Sequence, residues 1–92
     1  MDIKHHNFEE NGTFLAMNEE VEAGRMTYSW RNGDRIVINH TVVQPDFQGK
    51  NIGKQLVMAA VDFAREKNIK IVPQCSFARR IFDKEENLRD VL

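Results

Sequence analysis

The sequence has no apolar stretch near the ~20 residues that a membrane span needs, and its opening, MDIKHHNFEE, lacks the apolar core of a signal peptide. A cytoplasmic protein that does not enter a membrane is expected. It has one cysteine, Cys75, so an internal disulfide is excluded, and one cysteine with three scattered histidines lacks the spacing of a structural zinc site. Adjacent His5 and His6 point to opposite faces of a strand and find no third ligand, so no metal is expected. Charge of either sign is not in excess either. Thirteen basic and fourteen acidic residues leave a formal net charge of -1, which gives no global field toward nucleic acid, and the glycines lack the aromatic interleaving of a base-stacking surface. No nucleic-acid partner is expected. There is no internal repeat or low-complexity linker, and 92 residues suit one domain, 1–92, expected to be monomeric.

What is present reads as alternating short elements. IKHHNF, TFLAM and GRMTYSW have the β-branched and aromatic content of antiparallel strands, separated by turn signals near Asn11-Gly12 and by the acidic stretch from Asn18 to Glu22. Asn32-Gly33 marks a tight hairpin into a longer strand, RIVINHTVV, ended by Pro45. Strict alternation places Ile36, Ile38, His40 and Val42 on one face and Val37, Asn39, Thr41 and Val43 on the other, which predicts a strand covered on both sides. From Ile52 to Lys67 the positions Ile52, Leu56, Ala60, Phe63 and Ala64 form the stripe of an amphipathic helix. Asn68 stops it, and IKIV ending at Pro73 supplies a further strand. Strand, loop, helix, strand is the order of a right-handed crossover between parallel strands. Ser76 is expected to cap a helix carrying Phe77, Ile81 and Phe82, with a short helical tail from Asp83 to Leu92.

The loop entering the long helix, FQGKNIGKQL, is where chemistry is expected. Unpaired N–H groups and the helix dipole make that end attractive to anions, and Gly49 and Gly53 allow close backbone approach while Lys50 and Lys54 add charge. The same residue types also suit an ordinary turn. Gln55 stands where a Walker loop requires Ser or Thr, so a nucleotide P-loop is excluded.

The run Gln48-Gly49-Lys50-Asn51-Ile52-Gly53 resembles the Gln/Arg-x-x-Gly-x-Gly/Ala segment of the GNAT acetyltransferase superfamily, with Asn51 at the first glycine position. Asparagine is the non-glycine residue that best tolerates left-handed dihedrals. His40-Thr41-x-Val43 with Pro45, and Pro73-x-Cys75-Ser76-Phe77, resemble the very small YjdJ-type branch of that superfamily. The resemblance implies an α+β fold: a mixed sheet, mostly antiparallel with one splayed parallel pair, one main helix in the crossover and short C-terminal helices. It implies acetyl-CoA as cosubstrate and an amine acceptor, small molecule or protein, left unidentified. Val42 and Val43 would offer backbone hydrogen bonds to pantetheine, and Gln48, Gly49, Lys50, Asn51, Ile52, Gly53 and Lys54 would hold the pyrophosphate. Cys75 and His40 would lie near the acetyl group.

Read from the residues alone, Cys75 is a small buried hydrophobe or a nucleophile. For the second role, a thiol with the usual pKa of ~8.5 needs a helix N-terminus, a cation or an imidazole beside it. His40 is likewise a satisfied core histidine or a base. Tyr28 and Trp30 share a face and suit a core or pocket wall, and Arg79 and Arg80 suit the 3'-phosphate of CoA, an acidic partner or plain solvent. The favoured reading is an acetyl-CoA-dependent N-acetyltransferase; the alternative is a noncatalytic acyl-CoA-binding or protein-interaction module.

Overall fold

Four strands follow one another through short turns, each antiparallel to the last: β1 (Asp2–Asn7), β2 (Asn11–Asn18), β3 (Val21–Arg31) and β4 (Arg35–Val43). The computed structural model describes all residues 1–92. At the β3–β4 turn Asn32 and Gly33 both have positive φ, 56° and 72°, and Asp34 N–H bonds the Arg31 carbonyl at 3.3 Å. Two consecutive left-handed residues match the twist of the flanking strands. A 3-10 turn at Pro45–Phe47 leads to α1 (Ile52–Lys67), which crosses back so that β5 (Lys70–Pro73) pairs in parallel with β4. The strand order is β1-β2-β3-β4-β5. Asn68, at φ 57°, ends α1, with Ile69 N–H on the Ala64 carbonyl at 2.9 Å and Asn68 N–H on that of Arg65 at 3.4 Å, the bond pair of a Schellman stop. A short helix, α2 (Ser76–Lys84), and a 3-10 segment, Glu86–Val91, complete the chain.

One face of the sheet makes the core. Phe14, Met26, Tyr28, Ile36 and Ile38 pack under Leu56, Val57, Ala60, Val61 and Ala64 of α1, and Phe82, Leu88 and Val91 close one end. Ile52, Leu56, Ala60 and Ala64 are buried as the helical stripe predicts, while Phe63 is half-buried at its margin.

Strict alternation along β4 fails at Asn39. Tyr28 pairs with Ile38 and Thr27 with His40, so Asn39 is an extra residue, a β-bulge, whose Nδ2 donates to Ser29 Oγ at 2.8 Å. The bulge reverses every later side chain. Thr41 and Val43, opposite Met26 and Gly24, join the core face of Ile36 and Ile38, whereas His40 and Val42 lie on the far face and are exposed. The expected sharing of a face by Ile36, Ile38, His40 and Val42 is thus corrected, and cover on both sides of β4 holds only before the bulge, where Val37 on the far face is buried as well.

Gly12 lies within β2 and not in the preceding turn, because the ring of Tyr28 occupies the space its Cβ would need. Above it a polar chain runs through the aromatic cluster. Trp30 Nε1 (2.9 Å) and Tyr28 OH (3.0 Å) both donate to Asn7 Oδ1, which leaves His5 Nε2–H to donate to the Tyr28 oxygen at 2.7 Å. His5 also stacks on Phe14 with centroids 4.0 Å apart. Burial, then the neighbouring His6, lowers the His5 pKa, and burial pushes that of Tyr28 up to about 12. Neutral His5 therefore favours the fold fully above its unfolded pKa of ~6.5, and that contribution is lost as pH falls toward the lower folded value. The midpoint of thermal unfolding should drop between about pH 7 and pH 5, and His5→Phe, which keeps a ring on Phe14, should flatten the drop. An unchanged drop in His5→Phe would show that other groups set it.

Candidate functional site

Asn51 is the residue that turns the chain into α1. It sits at the N-cap with φ 60° and ψ 26°, in the left-handed region, and Gly49 before it has φ 83°. No side chain caps the helix, and the first helical bond runs from Gln55 N–H to the Asn51 carbonyl at 3.0 Å. The N–H groups ahead of Gln55 are thus left without a side-chain acceptor at the positive end of a 16-residue helix.

These groups open onto a cleft of about 630 Å³. Gln48, Gly49, Asn51, Ile52, Gly53 and Lys54 form one wall, Thr41 and Val43 the floor, and Phe77, Arg80, Ile81 and Lys84 of α2 the other wall. Lys50 is placed differently from its neighbours: its Nζ lies 5.8 Å above the ring of Phe47. Gly53 has a role that the loop pattern did not reveal. A Cβ there would overlap the Phe77 ring, so its bareness lets α2 close against α1.

The floor exists because β4 and β5 part. Their pairing stops at Ile38 and Pro73, and Cys75 N–H makes one further bond, to the Ile38 carbonyl at 3.1 Å. Beyond it, Gln44 N–H bonds Ala23 on the β3 side at 2.8 Å, and alternation back from Gln44 turns Val42 toward β3 and the backbone of Val43 and Thr41 toward the vacated side. The Val42 carbonyl indeed lies against Gly24. Of the two valines, Val43 therefore presents free backbone to the cleft, and Val42 has its backbone engaged and its side chain exposed on the far face.

Cys75 stands where the strands separate. It, and not Ser76, is the N-cap of α2: with φ -75° and ψ 145°, its Sγ accepts the Ala78 N–H at 3.3 Å and lies 3.4 Å from Thr41 Oγ1. His40 is on the opposite face, opposite Thr27, one residue from Thr41. The bulge separates it from the cleft wall. Thr41 lines the cleft, whereas Cys75, which touches it, and His40 do not. Arg79 does not line the cleft and Arg80 does, with Lys84 one turn further along the same helix. No local pattern marks Thr41, Phe77, Lys84 or Glu85 as cleft residues, apart from the four-residue spacing that puts Arg80 and Lys84 on one face of a helix.

Residues 13–91 match the family model of the GCN5-related N-acetyl-transferase. Among solved structures, the chain is similar to a GCN5-like candidate N-acetyltransferase from Staphylococcus aureus, at 35% identity over 98% of this chain and 85% of that one, with a TM-score of 0.75. The aminoglycoside N-acetyltransferase AAC(6')-Iy, solved in complex with CoA, shares the fold at 17% identity and a TM-score of 0.65, covering 90% of this chain and 88% of that one. So does the ribosomal-protein-S18-alanine N-acetyltransferase of Escherichia coli, at 14% identity and a TM-score of 0.70, covering 85% of this chain and 53% of that one. No curated protein matches the sequence significantly. With its mixed sheet, parted parallel strands and family match over most of its length, the chain belongs to the GCN5-related N-acetyltransferase family.

Proposed function

We propose that this protein transfers the acetyl group of acetyl-CoA to an amine, as a minimal, YjdJ-type member of its family. The observation that carries the reading is Asn51 in the left-handed region at an uncapped helix start, with three cations, Lys54, Arg80 and Lys84, around the same cleft. The pyrophosphate would take the free N–H groups of the first turn, with Gln48, Gly49, Lys50 and Asn51 shaping the loop. Pantetheine would lie along the parted edge of β4 and bond the backbone of Val43 and Thr41, a role that Val42 is turned away from.

The thioester would then reach the gap beside Cys75. The amine nitrogen attacks the carbonyl carbon, the C–S bond to CoA breaks with its electrons on sulfur, and the nitrogen loses a proton to His40 on the acceptor side. In a two-step route the Cys75 thiol attacks first, its proton passing to the departing CoA sulfur, and the amine then displaces the Cys75 sulfur from the acetyl group and gives up its proton to that sulfur. In the direct route Cys75 orients the acceptor amine for its attack, and in the two-step route its sulfur carries the acetyl group. Incubation with acetyl-CoA and no acceptor should add an acetyl mass to Cys75 in the two-step route alone.

At a hundredfold excess over its dissociation constant, CoA should stabilise the fold by ~2.7 kcal/mol, which raises the unfolding midpoint of a domain this small by about 10–20 °C. No shift with CoA or acetyl-CoA would exclude the reading. A shift without CoA release across an amine panel would favour an acyl-CoA-binding module.

A further inference from the structure

Glu85 is the only carboxylate on the cleft wall, and it sits at the unfavourable end of its own helix. As the C-cap of α2 it lies where the helix dipole repels negative charge. Its Oε1 instead meets Lys54 Nζ at 2.8 Å, and Lys54 is the third residue of α1, whose first turn contains no acidic side chain. The carboxylate is therefore paired with a lysine of the loop wall, on the cleft that the positive helix end also faces. It serves that end of the cleft as a resident anion.

We infer that Glu85 is a built-in competitor for the anionic part of the ligand, so that phosphate entry requires Lys54 to exchange Glu85 for a phosphate oxygen; this rests on the cofactor reading above. Both side chains are partly exposed, so the pair is weak enough to open and its effect is screened by salt. The exchange separates two states of α2. With the pair closed, the C-terminal end of α2 is tied to the start of α1; with phosphate bound, Glu85 is released while Phe77 beside Gly53 and the buried Ala78 and Phe82 still hold α2 to the core. Selectivity follows from the same arrangement. A ligand carrying several phosphate charges can displace a carboxylate from the lysine and the helix end together, whereas a weaker anion gains too little to do so.

The test is calorimetric titration of the full chain with CoA, and in parallel with inorganic pyrophosphate, for wild type and Glu85→Gln. Removing the competing charge should tighten both ligands by about 3- to 10-fold at low ionic strength, with the gain shrinking as salt rises. Asp83→Asn removes a charge from the same helix away from the cleft and should change neither affinity. Lys54→Met should weaken binding in both backgrounds, and the unfolding midpoint of each variant shows that it is folded. Wild-type binding of CoA with unchanged or weaker binding by Glu85→Gln overturns this inference and leaves the cofactor reading standing; weaker binding would mark Glu85 as a residue that positions Lys54. No CoA binding by either chain overturns both.

Discussion

Cys75→Ala should lower turnover with an amine acceptor by about a hundredfold or more, the usual size of a positioned nucleophile or proton-transfer group. Affinity for CoA should stay within about twofold, because the phosphate contacts lie in the other wall of the cleft. Alanine also deletes the acceptor that caps α2, at a cost of ~0.5–2 kcal/mol, so the variant alone mixes structure with chemistry. Cys75→Ser separates them. A serine oxygen can take the Ala78 N–H and face Thr41 Oγ1, so the serine variant should unfold near the wild-type midpoint yet share the turnover defect. If Cys75→Ser keeps full turnover, the sulfur only caps the helix and the assignment fails. His40→Gln belongs beside it: if the imidazole takes the amine proton, turnover should fall while CoA affinity is kept.

The second large effect is expected at Gly53. In most exposed helical positions glycine to alanine stabilises, by roughly 0.5–1 kcal/mol. At this position the sign should reverse, because the new Cβ would overlap the Phe77 ring and α2 would have to leave α1. Overpacking of this kind costs about 1–3 kcal/mol, and moving the Phe77 wall should weaken CoA more than about tenfold. Phe77→Ala in the same chain restores room, so the double variant should recover part of both losses relative to additivity. A Gly53→Ala protein with wild-type stability and affinity would show that α2 is free to shift, and that the cleft does not depend on this contact.

The two glycines of the loop illustrate how far local pattern reaches. Gly49 and Asn51 are legible from sequence because a positive φ is a property of one residue and its immediate neighbours, and both take it. Gly53 is not, because what it accommodates is an aromatic ring from a segment over twenty residues later. The same division holds at Cys75. Its position after the crossover strand can be read along the chain, but the capping bond and the Thr41 contact arise only when α2 docks beside the end of β4.

By itself the sequence determined the strand order up to the hairpin at Asn32-Gly33, the helical stripe from Ile52, the stop at Asn68 and the anion-favouring turn at Asn51. Each rests on dihedral preferences or on the periodicity of adjacent residues. The tertiary structure alone decided that Asn39 bulges, that Thr41 and Val43 instead of His40 and Val42 face the cleft, and that Glu85 meets Lys54. A bulge is set by the register between β3 and β4, and an ion pair between α1 and α2 by how two helices pack. Both depend on partners distant in the chain, which no local pattern encodes.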